Sequence, residues 1–456
     1  MEQVQENKMG TKPMLPLILS MSLPAMFSML VQALYNIVDS IFVSRLGVNA
    51  LAAVSLAFPV QTLMISVGVG TGVGINSLIS RRLGEHKYEE ANKAATHGVF
   101  LGIFSWVPFL IFGLLFSEPF MRAFSSNEQV VEMGIDYLSI VTIFSLACLV
   151  EICCEKTLQA TGNMIFPMLF QLSGAITNII LDPIFIFGLL GVPEMGVAGA
   201  AIATVLGQVV SLIFAIIILF CREHHVKIEL KGFHFEWKTI RDIYAVGLPS
   251  IVMQAISSFL NMGLNGILAG FSDTAVAVLG AYYKLQSFIF MPAFGLNQGL
   301  MPIMGYNYGA RKKERLLSAI KIGAVVMVGI MVIGLLIFQL FPDQLLNIFK
   351  EAGQASADAE MLRIGRPALR IISICFVPAA IGILFSTAFQ ATGMGMRSLI
   401  ISLLRQMILL LPAAWLLSLT GEVTNVWFAF PIAEAVACVI SILLFLDMYK
   451  KHIRTM

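Results

Sequence analysis

Residues 197–221 read VAGAAIATVLGQVVSLIFAIIILFC, a run without a single charged side chain. A helix needs about 20 mostly apolar residues to cross the hydrocarbon core of a bilayer. The run therefore predicts a membrane-spanning helix, and the rest of the chain contains further stretches of this kind. The predicted spans, about twelve, are residues 14–43, 50–80, 94–116, 129–159, 165–191, 197–221, 241–268, 275–305, 318–341, 361–391, 397–420 and 425–449.

The composition of the whole chain agrees with this interpretation. Of its 456 residues, 58% are hydrophobic and only 12% are charged, whereas roughly a quarter of the residues of a soluble globule are charged. This excludes a soluble enzyme, a nucleic-acid-binding protein and a disordered scaffold. Unbroken apolar runs also exclude a barrel of alternating strands. We expect an all-α integral membrane protein of about twelve transmembrane helices.

The basic residues predict how the chain lies in the membrane, because cytoplasmic loops are enriched in Lys and Arg. They collect between predicted spans 2 and 3, between spans 6 and 7, after span 8 and at the C-terminus, whereas the other loops are acidic or poor in charge. We therefore expect a multi-pass protein of the cell membrane with both termini in the cytoplasm. The main basic residues are Arg81, Arg82, Lys87, Lys93, Arg222, Lys227, Lys231, Lys238, Arg241, Arg311, Lys312, Lys313, Arg315, Lys321, Lys450, Lys451 and Arg454.

An internal repeat relates the two halves of the chain. One gapless register pairs Asn36 with Asn261 and Gly70 with Gly295, and it also pairs Gln61 with Gln286, Gly84 with Gly309 and Gly98 with Gly323. Farther along, residues 159–162 and 390–393 both read QATG. Six helices in each half is an even number, so both halves enter the membrane in the same sense.

The repeat predicts two lobes related by a pseudo-twofold axis along the membrane normal. We expect an N-terminal six-helix lobe at 1–221, a cytoplasmic linker loop at 222–240 and a C-terminal six-helix lobe at 241–456. Two such lobes around a central cleft can open alternately to either side of the membrane, which is the geometry of many transporters.

Two carboxyl groups are predicted inside the membrane, where an acidic residue costs at least about 2.5 kcal/mol. Asp39 lies in the first predicted span and Asp182 in the fifth. Asn178 shares a helix face with Asp182, and Tyr35 shares one with Asp39, because residues four apart lie on the same face. With Thr204 from the sixth span, these side chains would form a polar pocket in the N-terminal lobe.

Such a pocket suits a coupling ion. Two close carboxylates in a low dielectric favour binding of a proton, whereas the carboxylate, amide and hydroxyl oxygens of Asp39, Asn178 and Asp182 suit Na⁺. The alternative for Asp39 is a position at the helix end, where it would cap the helix or contact water.

The sequence resembles the multidrug and toxic compound extrusion (MATE) family over almost its whole length, most closely its bacterial DinF-like and MepA-like groups. The resemblance is carried by Asp39, by Asn178 and the following Asp182-Pro183, by VAGAAIAT at 197–204 and by the Gly-rich segment 295–309. It implies a transporter rather than an enzyme, which exports organic, often cationic and aromatic, compounds in exchange for H⁺ or Na⁺.

The resemblance also assigns residues. It implies that Asp39, Asn178 and Asp182 form the cation-coupling site, joined by Tyr35 and Thr204. Some family members couple through acids in the seventh and tenth helices, but this chain has none in the interior of those helices, so coupling is expected in the N-terminal lobe. No cofactor or resident metal is implied. The expected partners are small organic substrates and membrane lipids, without nucleic acid, and the protein is expected to act as a monomer.

The remaining candidates carry less information. Met253, Asn261, Tyr283, Gln286 and Met291 lie on the seventh and eighth spans and are candidates to line a substrate cavity. Arg405 and Glu434 are expected to form an ion pair in the C-terminal lobe. Lys284 either lines the cleft, together with Tyr282, or anchors its helix at the membrane interface. Glu151, Glu155 and Lys156 are expected to extend from the cytoplasmic end of the fourth span into water, as long charged side chains often do.

Two other functions are compatible with a polytopic membrane protein. A lipid-linked oligosaccharide flippase would carry cationic residues in the cleft for a pyrophosphate, and commonly about two more helices. An intramembrane enzyme would need a nucleophile, a base or a metal cluster at membrane depth, and neither the scattered cysteines nor the loop histidines supply one.

Overall fold

The computed structural model describes residues 7–221, 224–349 and 355–456, and the chain in these ranges is almost entirely helical. The N-terminal half contains α1 Lys8–Thr11, α2 Met14–Ser44, α3 Val48–Gly84, α4 Tyr88–Leu115, α5 Ser117–Phe124, α6 Glu128–Ile143, α7 Leu146–Ala160, α8 Ile165–Phe187 and α9 Gly196–Cys221. The C-terminal half contains α10 Trp237–Ala269, α11 Asp273–Gly309, α12 Lys313–Leu340, α13 Pro342–Asn347, α14 Ala355–Ser373, α15 Phe376–Ala391, α16 Gly395–Leu403, α17 Leu411–Ser418, α18 Val423–Trp427 and α19 Ala429–Met448.

The membrane spans match the sequence-based prediction in number. Within the described residues, nine helical segments are long and apolar enough to cross a bilayer, and two bent helix pairs raise the number to eleven. Helix α11 is the twelfth, because its 37 residues extend about 55 Å at 1.5 Å per residue. The predicted all-α membrane fold is confirmed.

Two predicted spans are not continuous helices. The predicted helix at 129–159 bends by 44° between α6 and α7, and the one at 361–391 bends by 48° between α14 and α15. At each bend the backbone switches to shorter-range bonds: the N–H of Ser145 donates to the Thr142 carbonyl, and the N–H of Cys375 donates to the Ile372 carbonyl. Hydropathy does not reveal this change, because both segments stay apolar through the bend.

The repeat is visible in the helix bounds. Helices α3 and α11 each have 37 residues, α4 and α12 each have 28, and all four bounds differ by the same 225 positions (48 to 273, 84 to 309, 88 to 313, 115 to 340). Gly162 and Gly393, from the two QATG segments, both have a positive φ, 89° and 87°. Two six-helix lobes therefore arise from one structural unit.

The lobes meet through glycine-lined helix contacts. A Cβ atom added at Gly70 of α3 would lie 2.7 Å from the backbone N of Ile251 on α10, and one added at Gly295 of α11 would lie 2.6 Å from the backbone N of Met26 on α2. These contacts are related by the repeat, and we call them, with the neighbouring Gly74 and Gly299, the glycine seam. They lie in the halves of α3 and α11 that lead to the Lys- and Arg-rich loops, which we call the basic end of the bundle.

Helix α1 also bridges the lobes at the basic end. The Asn7 side chain donates to the Thr161 carbonyl oxygen of the N-terminal lobe at 2.9 Å. From the other lobe, Asn307 and Arg315 both donate to the Met9 carbonyl oxygen at 3.1 Å. Residues 7–9 are therefore held between the two lobes at the basic end.

The predicted linker is shorter than expected at its C-terminal end. Helix α10 begins at Trp237, four residues before the predicted boundary, while residues 222–223 lie outside the described residues. The rest of the linker packs on α4: Phe233 stacks on Phe100 with 4.4 Å between the ring centroids. The indole of Trp237 is largely exposed, so this helix start lies at the protein surface, where composition marks the boundary poorly.

Helices α8 and α9 approach closely enough that a larger residue should destabilise the N-terminal lobe. A Cβ atom added at Gly207 would lie 2.7 Å from the Gly174 carbonyl oxygen. We expect Gly207→Val to lower stability by about 1–3 kcal/mol, the usual cost of overpacking, seen as a lower midpoint of thermal unfolding in detergent. Gly329→Val is the control, because nothing lies within 4 Å of a Cβ there, and equal losses in both variants would contradict the prediction.

Candidate functional site in the N-terminal lobe

The predicted residues of α8 and α9 form one buried polar group. Asp182 is 0% exposed, Asn178 2% and Thr204 5%. The Asn178 amide connects the other two: its Nδ2 donates to Asp182 Oδ2 at 2.8 Å, and its Oδ1 accepts from the Thr204 hydroxyl at 3.2 Å. This arrangement has two causes. Asn178 and Asp182 are four residues apart and share a helix face, and the Gly174–Gly207 contact brings α8 and α9 close together.

Helix α2 supplies the other half of the site. The carboxyl groups of Asp39 and Asp182 are within hydrogen-bonding reach of each other, and the Tyr35 hydroxyl reaches Thr204. Asp39 lies five residues before the end of α2, but its contact with Asp182 shows that it belongs to the pocket rather than to a helix cap. All five predicted coupling residues therefore come together.

The side chains of this pocket are suited to binding a small cation. Two carboxylates in contact repel strongly in a low dielectric, so they remain together only when they share a proton or a metal ion. Buried oxygens Asp39 Oδ1 and Asp182 Oδ1 have no hydrogen-bond partner among the described residues. The pocket therefore has acceptor capacity for a proton, a hydronium ion or Na⁺.

Sequence reasoning missed two residues beside this pocket. Tyr137 of α6 is 3% exposed and interacts electrostatically with Asp39, Tyr35 and Asp182. Its hydroxyl donates to Gln61 Oε1 of α3 at 3.4 Å. The pairing of Gln61 with Gln286 in the repeat was the available signal, whereas nothing in the local sequence distinguished Tyr137.

The C-terminal lobe lacks the equivalent acid. The register of the repeat places Leu264 at the position of Asp39, and this leucine is 1% exposed. The predicted ion pair of that lobe is confirmed, with 3.6 Å between Arg405 Nε and Glu434 Oε1. The carboxyl group of Glu434 is therefore already balanced by a cation.

The five predicted cavity residues differ in exposure and in their hydrogen bonds. Met253 accepts from Ser398 within the C-terminal lobe at 3.4 Å, the Tyr283 hydroxyl is buried, and Asn261 is exposed. Gln286 and Met291 are half-buried. Hydrogen bonds among the described residues do not connect these side chains, so their role as substrate contacts stays a prediction.

Tyr282 and Lys284 do not lie where residues that line a cleft would lie. Tyr282 is 1% exposed and packs inside the C-terminal lobe against Phe338 and Phe430. Lys284 is exposed and lies over the Phe349 ring, 5.9 Å from the centroid. Lining of the cleft by Tyr282 is therefore wrong, because its ring is enclosed by its own lobe, and Lys284 fits the interfacial alternative.

The prediction for the α7 charges was also wrong. Glu151, Glu155 and Lys156 are 8%, 3% and 6% exposed, instead of extending into water. The Lys156 ammonium lies 3.0 Å from Glu155 Oε1 and donates to Gln298 Oε1 of the other lobe at 3.4 Å. Hydropathy missed this cluster because it cannot show that α8, α9 and α11 surround the basic end of α7.

Comparison with known proteins agrees with this geometry. The MatE family model matches residues 24–184 and 249–416 of the chain, which include Asp39, Asn178 and Asp182. A FAD transporter of Shewanella oneidensis is 28% identical over 430 residues, 92% of each chain. The multidrug export protein MepA of Staphylococcus aureus is 24% identical over 440 residues, 95% of this chain and 93% of that protein.

Solved structures show the same architecture. An outward-facing multidrug resistance MATE transporter superposes with a TM-score of 0.92 at 28% identity, over 100% of both chains. A MOP superfamily transporter from Pyrococcus furiosus gives 0.91 at 28% identity, over 99% of this chain and 100% of that one. With twelve spans in two lobes and a family match over most of its length, this chain belongs to the MATE family of membrane transporters.

Proposed function

We propose that the protein exports small organic compounds, often cationic and aromatic, across the cell membrane in exchange for a coupling ion. The observation that carries the proposal is that the carboxyl groups of the half-buried Asp39 and the buried Asp182 lie within hydrogen-bonding reach of each other inside the N-terminal lobe. An intramembrane carboxyl pair is costly and has no structural role that an apolar pair would not fill better. In this proposal Asn178, Thr204 and Tyr35 hold the pair in position.

The glycine seam supports alternating access as the transport mechanism. It closes the basic end, where Ser77 of α3 also donates to the Gln390 carbonyl oxygen of the other lobe at 2.5 Å. In the proposed orientation this end and both termini face the cytoplasm, following the distribution of Lys and Arg. Separation of the lobes along the seam would expose the cleft to the cytoplasm. One chain contains both lobes, so we propose that a monomer completes the cycle.

Between H⁺ and Na⁺, the geometry favours H⁺. A shared proton lets one carboxyl group donate to the other, which accounts for their direct contact. An ion must bind the two conformations unequally to shift them. Protonation would stabilise the contracted pocket and weaken substrate binding on the outer side, so the proton gradient would drive release.

The charge of the interior favours cationic substrates. Asp39, Asp182, Glu151 and Glu155 place four carboxyl groups among the described residues inside the N-terminal lobe, and the ammonium beside them, that of Lys156, is already paired with Glu155. This group of residues offers carboxyl groups rather than a free cation to a substrate, which disfavours the diphosphate of FAD, the cargo named for one relative, and the pyrophosphate that a flippase handles.

Ion gradients imposed one at a time would test the proposal. We expect purified protein in liposomes with an acidic lumen to accumulate a fluorescent organic cation such as ethidium. A gradient of about one pH unit provides about 1.4 kcal/mol per proton, enough for about tenfold accumulation. We expect accumulation in sodium-free buffer and its loss when nigericin collapses the pH gradient.

The other arms of this experiment have defined outcomes. Accumulation that requires a sodium gradient would contradict proton coupling, and absence of accumulation under either gradient would contradict ion-coupled efflux. Excess FAD should leave ethidium transport unchanged. Competition by FAD would instead show an anion-binding cleft and contradict the proposed substrate class.

A further inference from the structure

Glu151 is a buried carboxyl group that the coupling site does not use. It lies in the interior half of α7, and among the described residues no ion pair includes it, because Lys156 is engaged by Glu155 at 3.0 Å and by Gln159 at 3.0 Å. A buried carboxylate without a cation is unstable in a low dielectric. Glu151 must therefore hold a proton in this conformation or exchange one with its surroundings.

The contacts of Ser211 show how a proton could be exchanged at Glu151. The Ser211 oxygen is 3.1 Å from Glu151 Oε1 and 2.9 Å from the Phe170 carbonyl oxygen. A serine has one hydroxyl hydrogen and can donate to only one of these acceptors. The Phe170 carbonyl also accepts from the Ser173 hydroxyl at 2.8 Å, so it does not depend on Ser211. The Ser211 hydroxyl can therefore donate to a Glu151 carboxylate, or donate to Phe170 while a protonated Glu151 donates to the Ser211 oxygen, and it accommodates both protonation states that a relay needs.

Polar side chains continue from Ser211 to the coupling site. Thr204, Gln208 and Ser211 are spaced by four and three residues and therefore share one face of α9. Thr204 already belongs to the Asp39–Asp182 pocket. Gln208 Oε1 is buried without a hydrogen-bond partner among the described residues, and such oxygens commonly bind ordered water.

The same polar face continues towards the basic end. Gln171 of α8 donates to Glu155 Oε2 at 2.9 Å, and its own buried oxygen lacks a partner in the described part of the chain. Beyond Glu155, Gln159 and Lys156 both donate to Gln298 of the other lobe, at 3.3 and 3.4 Å. This end of the polar face therefore lies at the lobe interface, where separation of the lobes would admit cytoplasmic water.

We propose that Glu151 is a proton-relay residue between the Asp39–Asp182 pocket and the cytoplasmic side of the cleft, an inference that rests on the proposed function. The aspartic acid of the pocket loses H⁺ to water beside Gln208 and becomes a carboxylate, and the Glu151 carboxylate accepts that H⁺. When the lobes separate at the basic end, Glu151 gives H⁺ to cytoplasmic water. Each step moves one proton and needs no other reactant.

The titratable neighbours of Glu151 come from its own helix. Glu155, Lys156 and the thiols of Cys148, Cys153 and Cys154 interact with it electrostatically. The neighbouring helices add side chains that do not titrate to this cluster: among the described residues these are Gln171 of α8, Ser211 of α9 and Gln298 of α11. On the α3 side, Gly72 packs against the aliphatic part of Lys156. Since Glu155 and Lys156 neutralise each other, Glu151 is the free titrating carboxyl group of this cluster.

Glu151→Gln separates the relay from a structural role. The amide has the shape of a protonated carboxyl group and can donate to Ser211, but it cannot release a proton. If Glu151 only holds Ser211, the variant should transport normally. We expect substrate-dependent proton flux, followed with pyranine in the liposome lumen, to fall about tenfold or more, with ethidium binding and the thermal unfolding midpoint unchanged.

Controls keep the outcomes distinct. Glu132→Gln, at an exposed position on α6, should transport like the wild type. Ser211→Ala should slow proton flux less than Glu151→Gln, and it tests the relay if Glu151→Gln does not fold. If Glu151→Gln folds and shows wild-type proton flux, the relay is overturned but the proposed function is not. The same holds for Ser211→Ala if only that variant folds. Absence of proton flux in the unmodified protein would overturn both the proposed function and the relay.

Discussion

Asp39→Asn and Asp182→Asn should each abolish ion-driven transport while leaving the protein folded. An amide replaces each carboxyl group at nearly constant volume, but it cannot bind and release a proton. Because the two groups lie in one site, loss of either should remove the differential ion binding that, in our proposal, shifts the lobes. We expect gradient-driven accumulation of ethidium in liposomes to fall about tenfold or more in both variants.

The double variant distinguishes a shared site from two separate ones. Residues that act as a unit are strongly non-additive, so Asp39→Asn/Asp182→Asn should transport no worse than either single variant. Glu132→Gln, at an exposed position on α6, is the matched carboxyl-to-amide control. Transport at the wild-type rate in both single variants would show that the coupling site lies elsewhere.

Gly299→Leu should prevent the basic end from closing. A Cβ atom at this position of α11 would lie 2.8 Å from the Ser22 backbone N and 2.9 Å from the Ser22 Cα on α2, and backbone atoms cannot move aside as a flexible side chain can. The lobes would be held apart, so the protein would stay open at the basic end. We expect transport to fall about tenfold or more, since alternating access needs both states.

Labelling at the seam would measure this opening. Ser77 is fully buried at the lobe interface, and a cysteine introduced there should react with a membrane-impermeant maleimide faster in the Gly299→Leu background. The parent protein without the new cysteine corrects for the native thiols. Gly280→Leu is the control on the same helix, because a Cβ there meets nothing within 4 Å. Equal labelling in the two backgrounds would contradict a closing role for Gly299.

The fold was predictable because the bilayer imposes simple rules. About 20 apolar residues per span and the gapless register between Gly70 and Gly295 sufficed for the helix number and the two lobes. The bends at 143–146 and 373–376 were not predictable, because they depend on local backbone hydrogen bonds inside apolar segments. The start of α10 was missed for a related reason: a surface helix end carries little compositional signal.

The candidate site was likewise predictable only in part. Asp39 and Asp182 are conspicuous, because a carboxyl group within an apolar run is rare, and the four-residue spacing identified Asn178. Tyr137 is an aromatic residue in an apolar helix and looks like packing until its hydroxyl is located. The α7 charges were misjudged because sequence position indicates distance from a helix end, but not whether neighbouring helices cover that end.

The glycine seam also bears on how the chain can be divided. Helix α3 of one half is complementary to α10 of the other, and α11 is complementary to α2, so each half presents a bare backbone surface shaped for its counterpart. If the chain were cut within residues 224–236 and the halves were separated, this surface would lose its contacts with the other half. The duplication visible in the sequence therefore does not predict two independent proteins: we expect each half to need the other for assembly, as the subunits of an obligate dimer do.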